Sequence, residues 1–157
     1  MRMGAGILLA AALTLAPMAA QAQPLVSSWT AAEMKALAGG MGLTVAQVDK
    51  LDNGDPFLIV QAGGGTNFAI YGAACSGAGP VRCRGVSLIA YVAYDTPAKA
   101  KAAKARLAYP AVSITQDDAR TLEITRYVVL DEGVHRKNLE ANIRLFVAIL
   151  QEALALR

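Results

Sequence analysis

Apolar and polar residues alternate along two segments between residues 66 and 94, and this period of two is typical of β-strands. The apolar positions on one side of the two segments are Phe68, Ile70, Val86, Leu88, Ala90 and Val92. The residues between the segments, Ser76-Gly77-Ala78-Gly79-Pro80, can support neither a helix nor a strand ladder. The pattern predicts an antiparallel hairpin. Because both faces of its second strand are largely apolar, we expect that strand to lie centrally in a sheet.

The only two cysteines of the chain, Cys75 and Cys83, flank that loop. Their spacing is not that of a C-x-x-C redox motif, and a single histidine, His135, cannot complete a tetrahedral metal site with them. We therefore predict a structural disulfide across the tip of the hairpin, in preference to a metal site or a redox site. Such a bond persists outside the reducing cytosol.

Similar patterns predict the other elements of an α+β fold. Thr30 and Glu33 have the spacing of a capping box, and Thr96 followed by Pro97 is a typical helix start. The remaining predicted elements are a helix from Ala31 to Gly39-Gly40, an ambiguous strand or helical turn over residues 43–50, a strand buried on both faces over Phe57–Val60, a glycine turn over Gly63–Gly65, a helix from Pro97 to about Leu107, strands over Ala111–Gln116 and Arg120–Leu130, and a final helix from about Arg136 to Leu156.

The final predicted helix has a polar strip and a wide apolar side. A stripe of that width usually packs against a sheet, but it could also complete a dimer or receive a partner helix. The residues of this side at which we expect a partner are Leu145, Phe146 and Ile149.

Residues 1–22 have the organisation of a secretory signal peptide. Arg2 precedes an apolar stretch over Ala5–Ala16, and Ala20-Gln21-Ala22 offers the small residues that a signal peptidase requires. We expect cleavage after Ala22, a single domain over residues 23–157 and a periplasmic or secreted protein. The apolar stretch is short for a bilayer and no cysteine follows the cleavage site, so we expect neither a permanent membrane anchor nor a lipoprotein.

The leader inflates the hydrophobic content of the precursor, which is 55%. Its removal takes away only Arg2 and lowers the formal net charge from +3 to +2. The basic residues form no continuous block, so the sequence does not favour nucleic acid as a partner.

The candidate catalytic motifs are weak. His135 has no nucleophile in a recognisable elbow motif, and a capping role at the last helix is favoured. Gly63–Gly65 lacks the lysine that ends a phosphate-binding loop. The pair Asp131-Glu132 precedes Gly133, which favours a solvated bend. We therefore expect no catalytic residue, no metal and no cofactor.

Three segments of the chain carry a resemblance to a known family: Ala74-Cys75 through Cys83-Arg84-Gly85-Val86-Ser87-Leu88, Thr125 to Val134, and Asn138 to Asn142. With the order of the elements, they make the chain resemble the YbjN domain family. The resemblance implies an α+β fold similar to that of type III secretion chaperones, with an antiparallel sheet of about five strands packed against helices. The family's description as a bacterial sensory transduction regulator implies no catalytic residues.

The chain departs from that family at two places. Many members have an asparagine-rich segment in the middle helix, whereas residues 98–105 are rich in alanine and lysine. Members often place threonine or serine at the cap of the last helix, where this chain has His135, a weaker cap.

From these observations we expect a non-enzymatic regulatory module that binds another protein through its sheet or its final helix. The partner would be another envelope protein or a second copy of the chain. One alternative is a carrier of a small ligand or lipid, with a pocket between the sheet and the final helix. Another is an inhibitor of an envelope enzyme, in which the loop over residues 76–82 inserts into the enzyme and Arg82 and Arg84 make the contacts.

Overall fold

The structure is a computed structural model and describes residues 25–157, so the predicted leader lies outside the described residues. Its elements are β1 (Leu25–Val26), α1 (Ala31–Gly40), β2 (Thr44–Lys50), β3 (Pro56–Ala62), a short 3-10 turn (Gly63–Gly65), β4 (Thr66–Ser76), β5 (Arg82–Ala93), α2 (Pro97–Arg106), β6 (Ser113–Gln116), β7 (Thr121–Val129), β8 (Val134–His135) and α3 (Arg136–Ala155).

Six strands form one antiparallel sheet in the order β2-β3-β4-β5-β7-β6, and β1 pairs separately with β8. The predicted hairpin is confirmed, since β4 pairs with β5 from Ala69 opposite Ile89 to Ser76 opposite Arg82. A disulfide joins Cys75 and Cys83 across the hairpin, and β5 lies in the interior of the sheet as expected.

All three helices pack on the same face of the sheet, which we call the inner face. Leu88 and Ile124 on the sheet, Met34 on α1, Ala100 on α2 and Phe146 on α3 belong to one cluster of buried side chains. The domain is therefore a two-layer α+β fold with a single core between helices and sheet. None of the three helices in residues 25–157 combines the length and the hydropathy that a membrane span requires.

The sheet has one strand more than the sequence predicted, because the ambiguous segment forms the edge strand β2. A register shift between Val45 and Gln47 marks a bulge in its pairing with β3. Most of its side chains are exposed. An edge strand that is interrupted by a bulge and open to solvent lacks the regular apolar alternation that identifies a strand.

The prediction that β3 is buried on both faces is wrong. Leu58 and Val60 are fully buried on the inner face, whereas Phe57 and Ile59 are only partly buried. The second face of β5 is likewise open, with Tyr91 exposed. The physical reason is that the helices cover one face of the sheet only.

The ends of α1 and α2 follow the predicted capping. The Thr30 side chain accepts a hydrogen bond from the Glu33 backbone N–H, and the Glu33 carboxylate accepts one from the Thr30 N–H. Thr96 caps α2 in the same way, by accepting from the Lys99 N–H. His135 stands at the N-cap of α3 without a capping hydrogen bond from its side chain.

Candidate functional site: the outer face of the sheet

The outer face of the sheet, opposite the helices, includes three rows of side chains that the strand register places side by side, and Val129 lies beside them opposite Gly85. The aromatic row contains Asp49, Phe57, Tyr71, Ser87 and Tyr127. The aliphatic row contains Gln47, Ile59, Ala69, Ile89, Thr125 and Ser113. The Tyr91 row contains Tyr91, Glu123 and Thr115.

The rings of the aromatic row contact their neighbours on the sheet. Phe57 and Tyr71 stack with ring centroids 5.6 Å apart and an interplanar angle of 28°. The Tyr127 ring lies over Gly85, since a Cβ at that glycine would come within 2.4 Å of the Tyr127 Oη. The glycine therefore leaves the space in which the ring lies flat on the strand, an arrangement known to support glycines in sheets.

Large side chains of this face are open to solvent. Tyr91 is 60% exposed, and Tyr127 and Val129 are each 53% exposed. No element within residues 25–157 packs over them, because all the described helices lie on the inner face. Exposed apolar and aromatic side chains that lie together on one face, bordered by polar residues, are typical of a site that binds another molecule.

Tyr91 and Glu123 form the acidic end of the face. They are directly opposite on β5 and β7, and Thr125 donates a hydrogen bond of 2.9 Å from Oγ1 to Glu123 Oε1. Partial burial of the hydroxyl, and then the negative charges of Glu123 and Asp117, raise the pKa of Tyr91 above its ordinary value of 10.0. A tyrosine hydroxyl with a pKa of about 10 or above is protonated at neutral pH, so Tyr91 can donate a hydrogen bond.

Two of the three helix residues predicted to contact a partner are in the core. Phe146 is fully buried and packs edge-to-face on Phe68 with centroids 5.6 Å apart, and Ile149 is also buried. They are buried because this side of α3 lies on β4, β5 and β7. Of the three residues, only Leu145, which is 42% exposed, is accessible to a partner in this structure. It borders an open groove of about 390 Å³ beside Tyr109.

Both arginines predicted to contact an enzyme have partners within the molecule. Arg82 donates to the Ser28 hydroxyl at 2.9 Å and to the Glu33 carboxylate at 3.1 Å, which ties the start of β5 to α1. Arg84 lies 3.7 Å from the Asp131 carboxylate. Arg82 thus supports the local structure. Its guanidinium is bound within the molecule and is not free to contact an enzyme.

Two clefts next to α3 are small, and the larger groove beside Tyr109 is lined by α3 and the segment after α2 and by no strand residue. One of about 210 Å³ lies among Trp29, Met34 and Leu139, with Glu33 and Arg136 at its rim. Another of about 170 Å³ lies between one end of the sheet and Leu150 and Leu154 of α3. Sites for drug-sized ligands usually have volumes of about 300–1,000 Å³. Leu88 and Ile124 of the sheet and Ile143 of α3 are fully buried in the core. Because the space between the sheet and α3 is filled, this geometry does not favour the carrier hypothesis.

The motifs considered for chemistry are dispersed. Asp131 pairs with Arg84, while Glu132 and His135 are exposed. Among residues 25–157 no group of three or more His, Cys, Asp or Glu side chains is placed to hold a metal ion.

The sequence patterns did not reveal the polar contact between Arg126 and Asn142. Arg126 lies on the inner face of β7 and donates from Nε to Asn142 Oδ1 of α3 at 2.8 Å, and it also donates to the Ala111 carbonyl oxygen. Asn142 in turn donates to the Asn138 carbonyl oxygen at 2.7 Å. The only signal was the charged residue at an inward position of an alternating strand.

Comparisons with known proteins show a likeness in fold. No family model matches the chain, and its sequence has no significant match among curated proteins. Among solved structures, the crystal structure of YbjN from E. coli, described there as a candidate transcription regulator, superposes with a TM-score of 0.51. The match covers 83% of this chain and 92% of that chain at 14% identity. The YbjN-like α+β fold that the resemblance implied is therefore confirmed.

Proposed function

From a fold shared with YbjN, we propose that this protein is a non-enzymatic regulatory module that binds another protein on the outer face of its sheet. The observation that carries the proposal is the exposed aromatic row together with Tyr91. Partly buried rings such as Phe57 and Tyr71 are pre-positioned by stacking. A partner that covers them gains apolar contact area without ordering flexible side chains, which makes aromatic residues frequent binding hot spots.

We place this module in the periplasm or outside the cell. The support is the disulfide between Cys75 and Cys83, which would be reduced in most cytosolic environments, together with the signal-peptide pattern of residues 1–22. YbjN is described as a candidate transcription regulator. The outer face would bind a protein, because its three rows carry no lysine or arginine for a phosphate backbone.

The experiment is a capture from the envelope fraction of the source cell by the mature, disulfide-bonded protein. The double variant Tyr91→Thr/Tyr127→Thr removes the two most exposed rings and keeps residues that suit a strand. We expect it to lose a stoichiometric protein partner that the wild-type protein retains, with binding weakened by at least about tenfold.

The matched control is Leu145→Ser, which removes an exposed apolar side chain from the helical side. We expect this variant to capture the partner as well as the wild-type protein does. Both variants should stay folded, with the larger loss of stability in the tyrosine variant, because the Tyr127 ring covers Gly85. Equal capture by the tyrosine variant would refute the proposal, and loss of capture by the control alone would move the binding site to the groove beside Tyr109.

A further inference from the structure

The charges of the outer face differ in sign from the net charge of the helices. The three rows of the outer face contain the carboxylates of Asp49 and Glu123 and no lysine or arginine. Asp117 adds a third carboxylate close enough to raise the pKa of Tyr91, after burial and Glu123. The face is therefore negative, although the whole chain has a net charge of +3.

The opposite side of the molecule is basic. The helices carry more cationic than anionic side chains. Lys35, Lys101, Lys104, Lys137 and Arg144 are exposed, whereas the acidic side chains of the helices are Glu33, Glu140 and Glu152, and Arg144 pairs with Glu140. Arg126, the arginine within β7, points inward to Asn142 and so adds no positive charge to the outer face. Within β7, strand alternation places Glu123 on the outer face and Arg126 on the inner face.

The aromatic rings add a second attraction for cations. The face of a phenol or phenyl ring carries negative electrostatic potential, and an ammonium or guanidinium group within about 6 Å of the ring centre is attracted to it. Tyr71, Tyr91, Tyr127 and Phe57 present rings on this one surface. The Asp49 carboxylate lies directly opposite Phe57 in the same row, and Glu123 lies opposite Tyr91.

Resting on the proposed function, we infer that the partner segment is a cationic polypeptide in which arginine or lysine alternates with apolar side chains. Its apolar side chains would cover Ile59 and Ile89 in the aliphatic row, and its cations would lie between the rings and the carboxylates. Charge complementarity of this kind accelerates association and selects among partners. It disfavours a second copy bound face to face, because the carboxylates of the two faces would then meet.

The test measures binding of a fluorescent synthetic peptide that alternates arginine with leucine. A second peptide carries glutamate in place of arginine, and fluorescence anisotropy gives both dissociation constants for the mature protein. We expect the arginine peptide to bind at least about tenfold more tightly than the glutamate peptide. Its affinity should fall as salt is raised from 0.1 M toward 1 M, where the screening length shortens from about 10 Å to about 3 Å.

Two variants with equal charge change separate the outer face from a general charge effect. Asp49→Asn/Glu123→Gln neutralises the carboxylates of the rows and keeps their shape, and we expect it to weaken binding of the arginine peptide by about tenfold. Glu140→Gln/Glu152→Gln removes the same charge from α3 and should leave that affinity within about twofold.

Three results would overturn this inference: equal binding of the two peptides, unchanged affinity of the outer-face carboxylate variant, or a dimer in sedimentation that Tyr91→Thr/Tyr127→Thr dissociates. The last result would make the occupant a second copy. Neither of the first two results affects the capture experiment. There the tyrosine variant alone decides whether the outer face binds the envelope partner. The chemistry of the segment and the location of the site are thus tested separately.

Discussion

Gly72 is the residue on which the disulfide packs. A Cβ at this position would lie 2.5 Å from the Cys83 Sγ and 2.7 Å from the Cys75 Sγ, with Pro56 at 3.1 Å. The sulfur atoms and the proline ring are held by the hairpin and by β3, so they cannot move away as the end of a flexible side chain can. The position therefore requires glycine for space.

We predict that Gly72→Ala lowers the free energy of unfolding by about 1–3 kcal/mol, the usual cost of overpacking a filled site. Urea unfolding of the oxidised protein measures the change. The control is Gly39→Ala in α1, where a Cβ meets no atom within 4 Å, and where alanine should be neutral or should stabilise the helix by up to about 1 kcal/mol. Equal stability of Gly72→Ala and the wild-type protein would show that the sulfur atoms do not pack on this residue.

Helix α1 contains a pH-dependent contact at its first turn. Partial burial raises the pKa of Glu33. Hydrogen bonds from Thr30 and the charge of Arg82 lower the pKa by more than burial raises it, so the pKa lies below 4.5. A carboxyl group whose pKa is lowered by folding stabilises the folded state at a pH above its unfolded value. That contribution is lost as the pH falls through 4.5 toward the folded value.

We predict that Glu33→Gln is less stable than the wild-type protein at pH 7 and that the difference shrinks as the pH falls below 4.5. Because the ion pair with Arg82 is about half exposed, the difference at pH 7 should be modest, about 1 kcal/mol. Thermal unfolding at a series of pH values measures it, with Glu132→Gln on the turn before β8 as the control. A difference that stayed constant in acid would contradict this account of the helix start.

The elements differ in how far their sequences determine them. Thr30 with Glu33 predicted the start of α1, and alternation over Leu122, Ile124 and Val128 predicted the faces of β7, because capping and side-chain period are local properties. Phe57 and Ile59 were predicted to be buried, since an apolar run cannot show whether a second layer covers it. The wide apolar stripe of α3 likewise could not show that Phe146 faces the core and Leu145 does not.

The candidate site depends on contacts between distant segments. Phe57, Tyr71 and Tyr127 come from three different strands, and only the register across β3, β4, β5 and β7 brings them into one row. Register follows from the pairing of whole strands, which the sequence of any one strand does not contain. The sequence therefore predicted that these aromatic residues lie on strands. It could not predict that they share one surface.

At the scale of the whole molecule, the two-layer architecture explains why an aromatic surface is open. A sheet in such a fold buries one face under helices and exposes the other. The residues on the exposed face are usually polar. Here the exposed face keeps Tyr91, Tyr127 and Val129. The helical side instead holds an excess of cationic residues, so the molecule has two sides of different chemistry.

The most direct test is a tyrosine footprint of the mature protein with and without its captured partner. A tyrosine-selective reagent followed by mass spectrometry reports modification at Tyr91 and Tyr127 on the outer face, and at Tyr109 on the helical side, which is 38% exposed. We predict that the partner protects Tyr91 and Tyr127 by at least about tenfold and leaves Tyr109 unchanged. Protection of Tyr109 alone, with Tyr91 and Tyr127 as reactive as in the free protein, would contradict the assignment of the outer face as the binding site.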